Sequence, residues 1–183
     1  MNIIINKCLT NTYIDGRLLA KFKNILPKDV FIYILMGEFD LKYQTQSYIL
    51  YISNSIILFG TKNTDYTGLV GYIEFVIDII EDECSVSFIH IEEEYRGFGV
   101  SVFLFILMSN LLLTLGINKV TLDDDSDQAW KLPNVYIKLG MKYINEKPES
   151  EMEGRTLDIK NKWNKQYFID KGFFTSIKTK KKI

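Results

Sequence analysis

The stretch Ile-His-Ile-Glu-Glu-Glu-Tyr-Arg-Gly-Phe-Gly-Val-Ser, residues 89–101, is the part of the chain best suited to chemistry. A β-branched segment runs into a turn carrying Gly97 and Gly99, and an almost wholly apolar segment follows from Val100 to Leu115. Strand, glycine turn and helix in that order make an anion site. Glycines allow backbone conformations and close approaches that side chains forbid. The first-turn N–H groups of a helix lack intrahelical partners and point outward, and the helix dipole adds positive potential there. A pyrophosphate is the ligand such a turn suits. Taken alone, two glycines fit a bare strand-to-helix turn equally well.

The flanking elements have to position that turn. Asn2–Leu9 reads as a strand. Asp15 is placed to cap a helix carrying Leu18, Leu19, Phe22, Ile25 and Leu26 on one face, with Pro27 as its stop. Residues 29–44 also read as helix, with Phe31, Ile34, Leu35 and Phe39 inward. Strands are predicted at 49–52, 56–61, 70–77 and 84–91, with an acidic turn at 78–83, as an antiparallel meander. The apolar segment reads as a buried helix stopped by Gly116. Lys119–Asp123 is a strand, reached by a right-handed parallel crossover. A short helix starts at Pro133 and ends at Gly140. Residues 141–144 and 156–160 are the last strand candidates, and residues 161–183 have no assigned place. The expected fold class is α/β of the α+β type: a mixed, mostly antiparallel central sheet flanked by helices.

Composition narrows the field. The 183 residues carry a net charge of −1, with 47% hydrophobic and 25% charged residues, as in an ordinary globular domain. One domain over residues 1–183 is expected. No basic surplus marks a nucleic-acid binder. The basic tail, Lys178 and Lys180 to Lys182, reads as a solvated end. Cys8, Cys84 and the single histidine, His90, make neither a disulfide framework nor a zinc spacing, so no metal is expected. The apolar segment falls short of the ~20 residues a bilayer requires. No signal peptide is read at the start, and a cytoplasmic protein without membrane contact is expected.

The glycine turn resembles the Arg/Gln-x-x-Gly-x-Gly/Ala motif of the GNAT superfamily of N-acetyltransferases. Here it reads Arg96, Gly99 and Ser101, with Ser for the usual Gly or Ala. Tyr136-Ile-Lys-Leu-Gly140-Met141 resembles the family's Tyr-x-x-x-Gly-Phe, with Met for Phe. Val70-Gly71-Tyr72-Ile73 looks like its third strand. The likeness covers roughly residues 56–160, and no Gly-Lys-Ser/Thr follows the turn as it would in a P-loop.

The resemblance implies acetyl-CoA as cosubstrate and a primary amine as acceptor: a protein N-terminus, lysine, polyamine or other small amine. The pantetheine arm would lie along Ile89, His90 and Ile91, pairing with the backbone of Ile89 and Ile91. The pyrophosphate would sit on the amides of Gly97, Phe98, Gly99, Val100 and Ser101, with Arg96 alongside. Acyl transfer needs a neutral amine, a stabilised carbonyl oxygen and a proton for the thiolate. Glu83, thirteen residues before Arg96, is the base candidate; its other reading is a solvated turn carboxylate. Tyr136 is the acid candidate, its other reading a half-buried core tyrosine. The Ile91 N–H is the oxyanion donor by resemblance. Glu74 is a second carboxylate candidate near the acceptor side, and His90 either acts as a base or contacts the acceptor, or is a packed, neutral strand histidine. Cys84 has no base beside it, so a thiol route is set aside.

Between Asp123 and Pro133 the sequence leaves the family pattern. Ala129 and Leu132 occupy positions where the family has Asn and Ala, which removes or rearranges a side-chain contact to the coenzyme. The acidic residues there either form a solvated loop or draw a cationic acceptor. That departure motivates a rival reading, a catalytically inactive acyl-CoA-binding or scaffold protein on the same fold. Monomer and homodimer are both open.

Overall fold

In the computed structural model, residues 17–25, 28–54, 68–125, 135–145 and 151–173 are described. Their strands are β1 (Arg17–Ile25), β2 (Lys28–Asp40), β3 (Thr45–Ser53), β4 (Leu69–Asp78), β5 (Glu83–Ile91), β6 (Lys119–Asp123), β7 (Lys142–Tyr143) and β8 (Glu151–Arg155). They form one sheet in the order β1-β2-β3-β4-β5-β6-β8-β7. All neighbours are antiparallel except β5 and β6. The helices are α1 (Val100–Thr114), α2 (Val135–Lys138), α3 (Thr156–Lys160) and α4 (Lys165–Asp170). This is the mixed, mostly antiparallel sheet with helices packed on it that the sequence predicts.

The first half departs from expectation in its elements. Residues 17–25 and 28–40 are paired strands, not helices. For β2 the cause is visible. Val30 and Ile32 are buried with Leu50 and Ile52 in the main core, while Phe31, Tyr33 and Leu35 are buried in a second cluster with Tyr51. A strand buried on both faces shows no alternation, and its apolar run can mimic helical spacing. Its β-branched and aromatic composition favours the strand. Phe39, expected inward, is exposed. Residues 156–160 correct in the other direction. They form a helical turn, and the strand is β8 just before them. Five residues are too few for periodicity to decide. The proposed strands at 2–9 and 56–61 and the Pro133 helix start lie outside the described residues.

The main core sits on one face of the sheet. Ile73, Phe75 and Ile77 of β4, Cys84 and Val86 of β5, and Val120 and Leu122 of β6 pack with α1. Helix α1 is buried almost all round, as a helix apolar on every side must be. Its end is a Schellman cap: Gly116 has φ 84°, its N–H donates to Leu113, and the Ile117 N–H donates to Leu112. Among the described residues no helix is long and apolar enough to cross a membrane.

The chain after Lys160, unplaced by sequence, closes the core beyond α1. Trp163, Phe168 and Phe173 cluster on Phe103 of α1, with Phe103 and Phe173 rings 4.6 Å apart. Asn164 caps α4 by accepting from the N–H groups of Gln166 and Tyr167.

Candidate functional site

The site is a gap in the sheet. β5 and β6 pair in parallel only over Glu83–Val86 and Lys119–Leu122. β5 continues to Ile91 without that neighbour. A register shift against β4 sets Glu74 opposite Phe88 and Phe75 opposite Val86, so Ser87 is the bulged residue where β5 leaves β6. The Glu92 N–H donates to Val70 at 3.1 Å. Alternate residues of a strand turn their backbone groups to the same neighbour, so His90 also faces β4, and Ile89 and Ile91 face the gap.

The glycine turn closes the end of the gap. Gly97 and Gly99 have φ of 83° and 84°, a region side chains rarely adopt. The first helical bond of α1 runs from the Phe103 N–H to the Gly99 carbonyl at 3.0 Å. Gly99 offers no side-chain cap and the first turn carries no acid, which leaves the leading N–H groups to an anion. Arg96 is exposed, and its Nε donates to the Ile91 carbonyl at 3.1 Å. The turn is tied to the meander by Asn54, whose amide donates to the Tyr95 hydroxyl at 2.7 Å.

Tyr136 stands on α2, half-buried, its ring 5.6 Å from Phe105 of α1 in an edge-on contact. The Tyr-x-x-x-Gly spacing is itself a helix stop. Gly140 has φ 91°, its N–H donates to Ile137, and the Met141 N–H donates to the Tyr136 carbonyl. Burial, then the charges of Asp124 and Asp125, push the Tyr136 phenol pKa up, so it holds its proton. Asp124 is 4% exposed and accepts from the Tyr143 hydroxyl, so this member of the acidic run is buried and not solvated. Ala129, Leu132 and Pro133 lie outside the described residues.

Glu83 is not brought to the gap. It lies at the closed end of β5, with one carboxylate oxygen 2.8 Å from Lys119 Nζ and the other accepting from Thr121 Oγ1 at 2.8 Å. Burial raises its pKa, but the hydrogen bonds from Lys119 and Thr121 and the Lys119 charge outweigh that, and the net shift is downward. It is neither a free turn carboxylate nor a basic one. Cys84 is fully buried, and burial and then Glu83 push its thiol far up, which removes it as a nucleophile. His90 is not packed away: its side chain is about one-third exposed, with Nε2 3.3 Å from a Glu92 oxygen.

Sequence reasoning named Glu74 and His90 but missed the aromatic row and the cavity on the face turned from α1. Tyr33, Tyr51, Tyr72 and His90 stand opposite one another across β2 to β5. Glu74 and Ser87 line an open cavity of about 270 Å³ on the same sheet, with Leu35, Gly37, Ser47 and Ile49. Tyrosines spaced 18 and 21 residues apart carried the signal (33, 51, 72), but only strand registers make it readable.

No protein-family model matches the sequence, and no curated protein matches it. Among solved structures the chain is similar to nourseothricin acetyltransferase, at TM-score 0.43 and 15% identity over 61% of this chain and 65% of that one. It is similar to the PaiA N-acetyltransferase from Thermoplasma acidophilum in complex with coenzyme A, at TM-score 0.41 and 18% identity over 58% and 60%. It is also similar to a spermidine N-acetyltransferase from Vibrio cholerae, at TM-score 0.46 and 16% identity over 63% and 67%. The match spans less than two thirds of the first two enzymes' own lengths.

Proposed function

We propose that this chain is an acetyl-CoA-dependent N-acetyltransferase of the GNAT type, moving an acetyl group directly to a primary amine. The observation that carries the reading is the parting of β5 from β6 after Val86, which sets the open backbone edge of Ile89 and Ile91 beside the uncapped start of α1. An open strand edge takes an extended amide chain as an added strand, and pantetheine is such a chain. An uncapped helix start takes a pyrophosphate. Both features at one end of one strand fit a coenzyme A thioester better than either fits anything alone.

The residues then divide the work. Amides from Gly97 to Ser101 hold the pyrophosphate, with Arg96 released from the Ile91 carbonyl to a phosphate oxygen. The Ile91 N–H donates to the thioester oxygen as charge builds there. Glu74, rather than the engaged Glu83, takes a proton from the amine through water, since a base with a lowered pKa is a poor one. The amine nitrogen forms its bond to the acyl carbon, the carbon–sulfur bond breaks, and Tyr136 gives its phenolic proton to the departing sulfur. Protonated up to high pH, Tyr136 suits that task.

Calorimetry of acetyl-CoA on the wild type and on Gly99→Glu tests the reading. Binding that the substitution abolishes is expected, followed by turnover on an amine panel. A folded wild type that takes up no coenzyme would sink the reading. Coenzyme binding without turnover on any amine would favour the scaffold alternative.

A further inference from the structure

The sheet face turned away from α1 has a chemistry of its own beside the gap. Tyr72 lies at its centre, with ring centroids 5.5 Å from His90, 6.0 Å from Phe88 and 5.5 Å from Tyr51. Phe88 is 51% exposed, an unusual state for a phenylalanine in an interior strand. Glu74 stands opposite Phe88, and the Glu92 carboxylate rests on His90. Both carboxylates act on Tyr72: after burial, the charges of Glu74 and then Glu92 raise its phenol pKa. The Glu74 carboxylate makes no hydrogen bond or ion pair among the described residues.

Aromatic faces and carboxylates attract the same kind of ligand. A ring face draws a cation through its quadrupole, and a carboxylate draws it by charge. The spacing narrows the choice. Glu74 stands opposite Phe88, and Glu92 follows Phe88 by four residues in the chain, so the two carboxylates are anchored roughly 13 Å apart along the strand. A single ammonium satisfies one of them. A flexible chain with amino groups at both ends satisfies both and lays its methylenes on Tyr72 and Phe88.

We infer that this face is the acceptor site and that it takes an aliphatic di- or polyamine, one amine at Glu74 beside the gap and a distal amine at Glu92. The inference rests on the acetyltransferase reading for the direction of transfer, but the cation site itself does not need the coenzyme.

Spermidine is the probe, titrated calorimetrically into the full chain without coenzyme, with hexylamine as a single-charge control. Spermidine should bind, hexylamine at least about tenfold more weakly, and Glu92→Gln should bring spermidine down to the hexylamine level while acetyl-CoA binding is unchanged. Phe88→Ala should weaken both amines severalfold. Equal affinities for the two amines, or spermidine binding indifferent to both Glu74→Gln and Glu92→Gln, overturns the inference. Coenzyme binding and turnover on other amines with no spermidine uptake also overturns it and leaves the acetyltransferase reading standing. Carboxylate-dependent spermidine binding in a protein that ignores acetyl-CoA supports the cation site and sinks the acetyltransferase reading.

Discussion

Lys119 Nζ lies 2.8 Å from one Glu83 oxygen, and that pair is the ground on which Glu74 is proposed as the base in place of Glu83. Glu83 is held ionised by Lys119 and Thr121 at the closed end of β5, whereas Glu74 faces the cavity at the bulge. Glu74→Gln should lower kcat by about 10²-fold or more, the ordinary contribution of a general base. Glu83→Gln should leave kcat within about threefold, since it removes an ion pair away from the reacting atoms. Steady-state rates of both variants on one amine check this. The reverse ranking would return the base to Glu83.

The same pair sets a pH signature on stability. The folded pKa of Glu83 is below its ordinary value, so its contribution is complete above the ordinary carboxylate range, about 4.3, and is lost as pH falls through the lower folded value. Lys119 is about half exposed, so the contribution is small and salt-sensitive. Melting temperatures of wild type and Glu83→Gln should differ slightly from pH 5 to 7 and converge toward pH 3. A gap that widens in acid contradicts the ion pair.

The two glycines of the turn should answer differently. A Cβ at Gly97 meets nothing within 4 Å, so Gly97→Ala costs backbone strain alone, about 1–2 kcal/mol. A Cβ at Gly99 comes within 3.3 Å of Tyr167 and 3.5 Å of Phe168, which adds crowding to the strain. Gly99→Ala should lower the melting temperature more than Gly97→Ala, by calorimetry of the two proteins side by side.

Tyr136 predicts the alkaline limb. Its pKa is raised above 10.0, so as the acid it stays competent until pH passes that value. The limb of the kcat profile should lie above pH 10, and Asp124→Asn should move it down by removing a charge that raises it. Tyr136→Phe should cost roughly 10²-fold in kcat and remove the limb. Ultraviolet titration of the tyrosines reports the same pKa without turnover.

The turn at 96–101, α1, β6 and the Tyr136–Gly140 stop were legible in the sequence because each is a local signal: a glycine in a positive-φ position, an apolar run of fixed length, or a helix cap. β2 was misread because burial on both faces erases alternation. The gap itself is local nowhere. It arises from where β6 stops pairing with β5 and from the bulge at Ser87, which no glycine announces. Side-chain facing follows from it. Uninterrupted alternation from Cys84 would put Phe88 in the core with Val86, whereas the bulge turns it outward and Ile89 inward. The aromatic row and the partners of Glu83 are products of register, fixed only when four or five strands are in place.

The C-terminal segment should prove a structural support of the glycine turn. Phe168 is fully buried among Phe103, Trp163, Tyr167 and Phe173, and Gly172 lies so close to Phe98 that a Cβ there would come within 3.2 Å of its ring. α4 and the residues just after it therefore back the turn from Phe98 to Gly99. Phe168→Ala empties an aromatic site in a close-packed core and should cost about 3–5 kcal/mol. Tyr167→Ala removes only a half-buried ring beside Gly99, so the protein should stay folded. Its acetyl-CoA affinity should fall severalfold as the turn loses its backing, with kcat little changed. A Tyr167→Ala protein with wild-type affinity would make α4 a cover for the core alone. A loss confined to kcat would place its effect on the reacting groups instead.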